Sequence, residues 1–312
     1  MKPMLDIIYD INRKVSNNNR FWETIKFNSC VRLLMRQLAN IVVPMKYHNS
    51  TVNLSTEHIP VVVSLTSFPT RIGKVWVVIE SILRQTKRPE RIILWLSKNQ
   101  FPGQLNDLPE KLVSQMEYGL EIRFVDGDIK SHKKYYYSFI EFPNKYILTI
   151  DDDLLFPSYF LDGLYKSALE NPNSVIASFG SKIKWDFSKN YFYKIYQRIE
   201  PGSSGKDLFF GSGGGTLFPP NKLYRYLDDI KTIMDLCPTA DDIYLNAIVR
   251  LAGLDVTFRE VLPLLSIENK NDKKLTDHNG NLYDSDSKNA DQLRTLIDYL
   301  LALYGKNPFI SN

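Results

Sequence analysis

Tyr146-Ile147-Leu148-Thr149-Ile150-Asp151-Asp152-Asp153 is the stretch that decides the fold. A short, mostly apolar run rich in β-branched residues ends without a spacer on three carboxylates, and Leu154-Leu155-Phe156 follows at once. Such a run reads as a buried strand, and the acids mark where it leaves the core, because carboxylates are rarely buried unpaired. Upstream the same kind of run recurs at Pro60 to Leu65, Arg91 to Leu96 and Leu120 to Val125. Between these runs, Val75 to Gln85 and Glu110 to Met116 carry helical spacing. Strands alternating with helices predict an α/β fold, a mostly parallel sheet flanked by helices. Ligands of such sheets bind beyond the carboxyl ends of the strands, which is where the three aspartates fall.

Further out, residues 1–58 read as a helical, basic extension. Val31, Leu34, Met35, Leu38, Ile41 and Val42 share one helix face, and Pro44 is expected to end the run. Two readings fit: a helix packed on the domain behind it, or an amphipathic helix lying on an anionic membrane. Residues 59–265 form the α/β unit. Within it Leu161 to Leu169 reads as a helix, the aromatic-rich stretch through Phe210 as irregular, and Ala240-Asp241-Asp242 as the opening of a helix to about Leu251. Residues 266–312 comprise a polar loop, Glu268 to Asp286, and a closing helix, Lys288 to Tyr304.

The 312 residues are 44% hydrophobic and 24% charged, enough to bury a core without metal or disulfide staples. Cys30 and Cys237, the two cysteines, fit neither a disulfide framework nor a structural zinc site, and point to a reducing cytosol. Asn49-Ser50-Thr51 and Asn53-Leu54-Ser55 match glycosylation acceptors, a pattern that chance often supplies. Neither a spanning segment nor a signal peptide is expected. Residues 1–50 carry a net charge of +5 and the remainder −1, so the main unit lacks the basic stripe of a nucleic-acid binder.

Three successive aspartates repel one another and raise each other's proton affinity unless a cation sits among them. Hard carboxylate oxygens suit Mg²⁺ or Mn²⁺ completed by substrate phosphates; the plain alternative is a solvated acidic turn. Extended alternation would put Asp151 and Asp153 on one side and Asp152 on the other.

Tyr146 to Asp153 resembles the strand and D-x-D motif of nucleotide-sugar glycosyltransferases of the GT-A (Rossmann-like) fold, family 2, where the pattern runs roughly Y-I-x-F-L-D-x-D. The resemblance spans about Pro60 to Leu251. It implies a nucleotide-binding half at 59–153 and an acceptor half at 154–265. It implies a nucleotide loop at Thr66-Ser67-Phe68-Pro69-Thr70-Arg71, with Thr66, Phe68 and Arg71 as contacts, and a basic residue near the donor at Lys133 or Lys134. By the same likeness Asp151 and Asp152 adjoin the donor, Asp151 and Asp153 hold the metal, and Gly213-Gly214-Gly215 stands where the family keeps an acceptor loop. The pair Asp241-Asp242 matches the acidic pair supplying the general base, Asp242 being the second member. The other reading of that pair is a helix cap. Two departures accompany the match. The second strand ends Leu96-Ser97-Lys98-Asn99, without the acid that grips the base, a contact Asp126 is expected to take over. The glycine run is unusual for the acceptor loop. His278 is expected either as a third metal ligand on a mobile loop or as a lone surface histidine.

The implied activity is hexosyl transfer from a nucleoside-diphosphate sugar, a UDP-sugar favoured, with Mn²⁺ or Mg²⁺ as cofactor and inversion at the anomeric carbon. The implied acceptor is a glycan or lipid-linked glycan, as in bacterial surface polysaccharide assembly, and the implied place is the cytoplasm or the inner face of the cell membrane. A sugar-nucleotide nucleotidyltransferase is the nearest rival, but Thr66 to Arg71 contains no glycine. A non-catalytic glycan-binding protein on the same scaffold is the other. Gly211 to Gly215 is no P-loop, since no Gly-Lys-Ser/Thr follows. Ser131-His132-Lys133-Lys134 matches S-x-x-K without its partner motifs.

Overall fold

The computed structural model describes residues 3–17, 22–195, 199–259, 265–267 and 287–310. Helices α1 (Met4–Asn17) and α2 (Trp22–His48) precede β1 (His58–Thr66), α3 (Ile72–Leu83), β2 (Arg88–Ser97), α4 (Glu110–Val113), β3 (Leu120–Val125), α5 (Lys133–Glu141) and β4 (Tyr146–Ile150). Then come β5 (Leu154–Leu155), α6 (Phe160–Glu170), β6 (Ser174–Ala177), β7 (Gly180–Asp186), β8 (Tyr191–Ile195), β9 (Ser204–Gly205), β10 (Leu208–Phe210) and β11 (Gly214–Phe218). The remainder comprises α7 (Ile230–Leu236), α8 (Asp241–Leu251), β12 (Asp255–Phe258), β13 (Leu265–Ser266) and α9 (Lys288–Tyr304).

The architecture is α/β. Eight strands form one sheet in the order β3-β2-β1-β4-β11-β6-β12-β9. Strands β3, β2, β1 and β4 run parallel, β11 opposes both its neighbours, and β12 is again parallel to β6. Strand alternation divides the core into two faces. Val61, Val63, Leu65, Leu94, Leu148 and Ile150 pack on one side with α3, α6 and the N-terminal helices. Val62, Ile93, Trp95 and Ile147 pack on the other with α5, α8 and α9. With both faces covered, the central strands read as continuous apolar runs.

Chain order reverses at β1: β2 and β3 lie on one side of it and β4 on the other. That reversal opens a crevice beyond the carboxyl ends of β1 and β4. The register pairing Ser64 with Thr149, continued past the strand ends, brings Ser67 to Asp152, and their side chains are hydrogen-bonded at 2.5 Å.

Three expectations are corrected. Helix α2 continues past Pro44 to His48. Proline removes a backbone donor, but Val43 and Tyr47, on either side of it, are buried, and that packing outweighs the lost bond. The stretch taken as irregular contains β7, β8 and β10, a three-stranded antiparallel sheet. Its alternation is present, with Ser181, Ile183 and Trp185 inward against Lys182 and Lys184, but is only a few residues long. The expected face of α2 is split, because Met35, Ala39 and Val43 are buried while Leu34, Leu38 and Ile41 are exposed.

The N-terminal helices are fastened by polar contacts as well as packing. Tyr9 Oη donates to the Leu155 carbonyl at 2.5 Å, and Asn40 Nδ2 donates to the Ser266 carbonyl at 2.8 Å. Buried Asp6 accepts from Ser158 N at 2.8 Å and Ser158 Oγ at 2.6 Å. Asp6→Ala leaves that backbone donor unmatched and should cost about 1–3 kcal/mol. Urea unfolding is expected to show a lower midpoint at unchanged slope; an unchanged midpoint would mean the helices contribute no docking energy through this contact.

Candidate active site

A cavity of about 500 Å³ lies in the crevice, lined among others by Thr66, Ser67, Phe68, Arg71, Asp128, Lys134, Asp151 and Asp242. Its floor is the turn that follows β4. Asp151, Asp152 and Asp153 do not alternate, because the strand ends at Ile150 and the next residues turn. The Asp151 amide donates to the Gly213 carbonyl at 2.9 Å, and the Asp151 carboxylate faces Lys134 Nζ at 2.8 Å. Asp152 and Asp153 both meet Arg71 Nη1, at 3.0 and 2.9 Å. Burial raises the pKa of Asp152, and the Arg71 guanidinium and Ser67 hydroxyl offset only part of that rise. The fold therefore supplies two cations of its own to the acidic turn.

Lys134 ties the turn to the far wall. Its ammonium sits between Asp151 Oδ1 and Asp241 Oδ2, at 2.8 and 2.9 Å, with only 4% of the side chain exposed. Burial by itself would lower its pKa, but the carboxylates of Asp151, Asp241 and Asp242 outweigh burial and raise it. Ser212 Oγ continues the chain of contacts to Asp241 Oδ2 at 2.9 Å and Asp242 Oδ1 at 2.6 Å. The Ser212 amide also donates to Asp242 Oδ1, at 2.8 Å.

The two acids of α8 behave oppositely. Burial pushes both proton affinities up; at Asp241 the nearby Lys134 ammonium reverses this and holds the carboxyl ionised. At Asp242 burial and the neighbouring Asp241 charge win, and the pKa rises to about 6. Neither acid caps the helix: the N-cap is Ala240, with no side-chain cap bond. Gln292 Oε1 from α9 takes the amides of Thr239 and Ala240 instead, at 2.9 and 3.1 Å. Beneath them, buried His132 bonds through Nε2 to the Cys237 carbonyl and through Nδ1 to Tyr135 Oη, each at 2.6 Å. A carbonyl only accepts, so Nε2 carries the proton. Asp242 is thus held by Ser212 through Oδ1 alone, and among the described residues Oδ2 accepts no hydrogen bond.

Of the residues singled out in the sequence, Thr66, Phe68, Arg71, Lys133, Lys134, Asp151, Asp152, Asp241 and Asp242 line this cavity. Asp153 adjoins it through Arg71. Asp126 does not: its side chain is 89% exposed and paired with Lys98. Asp128, two residues on, lines the cavity instead, paired with Lys133 and bonded to Gln100. The signal for it was adjacency to the basic run Lys130 to Lys134, which strand-end position alone does not weigh. The glycine run packs against the acids. A Cβ on Gly213 would lie 1.7 Å from Asp151 Oδ2, and Gly215, at φ +95°, would meet Phe160. Gly214 abuts Phe179. Ser212 inside that run carries no sequence pattern that marks it, since a lone serine among glycines has none. His278 lies outside the described residues, as does the polar segment around it.

The oxygen donors of the turn are of the kind a hard divalent cation takes, but Asp151 is already paired with Lys134 and Asp153 with Arg71. Asp151 and Asp153 are the accessible carboxylates, 44% and 20% exposed, and Gly213 leaves room for the first of them. Among the described residues no three His, Cys, Asp or Glu side chains group to hold a metal. An ion here would take one or two carboxylates and complete its shell with substrate oxygens and water, a mode usual for Mg²⁺. No protein-family model matches this sequence, and no curated protein shows significant similarity to it.

Two substitutions test the electrostatics. A folded-state pKa raised above the unfolded 3.8 means stability is present at low pH and lost as pH rises through about 6. Asp242→Asn keeps the acceptor for Ser212, so its unfolding free energy should exceed that of wild type at pH 8 by on the order of 1–3 kcal/mol, and the two should converge below pH ~4. A less stable Asn variant at pH 8 would refute the raised pKa. Lys134→Met strands three carboxylates and should cost roughly 3–5 kcal/mol at neutral pH, less in acid where they protonate; a pH-independent loss would point to packing instead.

Proposed function

We propose that the protein transfers a hexosyl group from a nucleoside-diphosphate sugar to an acceptor hydroxyl, on a GT-A-like scaffold. The observation carrying this reading is that one cavity holds both the acidic turn after β4 and Asp242, a carboxylate whose pKa is raised to about 6. A general base works best with a pKa near the operating pH. Asp151 and Asp153 would hold Mg²⁺ or Mn²⁺, which when bound supplies positive charge to the departing diphosphate.

The chain's own residues do the rest. Phe68 and Thr66 line the cavity for the nucleotide, and Lys130, exposed at its lining, offers positive charge to the phosphates, while buried Lys133 is paired with Asp128. Arg71, stacked 5.6 Å from the Phe68 ring centroid, keeps Asp152 and Asp153 in place. Lys134 fixes Asp151 relative to α8, so the donor and acceptor sides keep a constant separation. Ser212 holds Asp242 by Oδ1, and Oδ2 takes the proton from the acceptor hydroxyl as that oxygen attacks the anomeric carbon. The sugar–phosphate bond breaks, and the electron pair leaves with the nucleoside diphosphate. Attack from the side opposite the leaving group inverts the anomeric centre. The acceptor is a glycan, free or carried on a lipid, and UDP-sugars are the favoured donors.

The test pairs binding with turnover. UDP with Mn²⁺ should raise the melting temperature, and Asp153→Asn should remove the metal-dependent part. Asp242→Asn should retain that shift while release of UDP from a UDP-sugar and acceptor panel falls by roughly 10²–10⁴-fold; Asp241→Asn should alter stability more than proton transfer. If no nucleoside diphosphate stabilises the protein with either metal, the proposal fails. Near-normal turnover in Asp242→Asn would remove its role as base.

A further inference from the structure

Helix α2 carries two apolar rows on opposite sides. Met35, Ala39, Val43 and Tyr47 are buried against the protein, whereas Leu34, Leu38, Ile41 and Met45 are 38–61% exposed. At the helical repeat the exposed four fall within about 60° of arc, roughly opposite the buried four. On α1, Ile7 and Ile11, one turn apart, are also exposed, at 44% and 37%. Single exposed apolar side chains are ordinary, but an aligned row several turns long on a helix already packed by its other face is not. The row is held outward, since Asp6, Tyr9 and Asn40 fasten the helical pair to the sheet domain.

Charge selects the occupant. Residues 1–50 carry a net +5 and the rest of the chain −1. We propose that the exposed row of α2 docks on an anionic lipid surface, with its apolar side chains entering the interface and the exposed Lys46, at its flank, and Lys14, beside Ile7 and Ile11 on α1, meeting the headgroups. Arg32 and Arg36 fall on the side of α2 that carries the buried row. A second copy of the chain would bring two strongly positive segments together, which Coulomb repulsion opposes. An anionic bilayer answers both the apolar row and the charge. Among the described residues no helix is long and apolar enough to cross a membrane, so the contact is a helix lying in the interface plane. This inference does not depend on the proposed transferase activity.

Co-sedimentation of the full chain with phosphatidylserine-containing vesicles and with phosphatidylcholine vesicles tests it, without nucleotide or metal. The protein should pellet with the anionic vesicles at low salt, be weakened by raised salt, and stay largely soluble with the neutral ones. The double variant Leu34→Asn, Ile41→Asn changes only exposed positions and should keep the wild-type melting temperature while binding about tenfold more weakly or less. Sedimentation velocity of both proteins completes the set. Wild-type protein that ignores anionic vesicles, a double variant that binds them equally, or a concentration-dependent dimer that the double variant abolishes would each overturn the proposal. The last would assign the row to a second copy of the chain.

Discussion

The buried ammonium of Lys134 organises the candidate site. It lies on α5, yet it touches Asp151 from the turn after β4 and Asp241 from the first turn of α8. Three elements distant in sequence therefore meet on one charge. Burying a lysine is unfavourable unless carboxylates compensate it, and burying those carboxylates is unfavourable without the lysine. Each partner makes the others tolerable, so the cluster is stable only as a set. Packing beneath it supports the same geometry: His132 and Gln292 satisfy the backbone that leads into α8.

Asp242 is the member of that set left incompletely compensated. Lys134 contacts Asp151 and Asp241 directly but reaches Asp242 only through space, while the Asp241 charge opposes it. The consequence is a carboxylate that holds its proton to higher pH and costs stability when ionised. Carboxylates perturbed by burial and a like charge in this way cluster at functional sites, though structural ion-pair networks perturb them too. In the proposed reaction the same imbalance lets Asp242 accept a proton, while Asp241 stays ionised as the partner of Lys134.

The N-terminal helices apply a different constraint. One face of α2 is consumed by docking on the sheet domain, and its second apolar row has no role in that docking. An apolar period in a sequence thus shows that a face exists, not how many faces there are or which one the protein itself covers.

Much of the architecture was already determined by local sequence. Strands β3 and β4 and helix α9 have the bounds their residue patterns dictate, because β4 is an almost unbroken apolar run, the edge strand β3 alternates apolar residues with Glu121 and Arg123, and α9 is a long amphipathic period. The acidic turn and the Asp241-Asp242 pair were visible because carboxylates directly abutting regular elements stand out. The proton affinity of Asp242, the choice of Asp128 over Asp126 and the part played by Ser212 were not, nor was the pairing of Arg71 with Asp152 and Asp153. Alternation predicted Asp152 opposite its neighbours, but it applies only while the chain is extended, and β4 ends before the acids. Those outcomes depend on which distant charges and hydrogen-bond donors surround a side chain and how much water remains. Only the crossing of β1, β4, α5 and α8 at the switch point decides that.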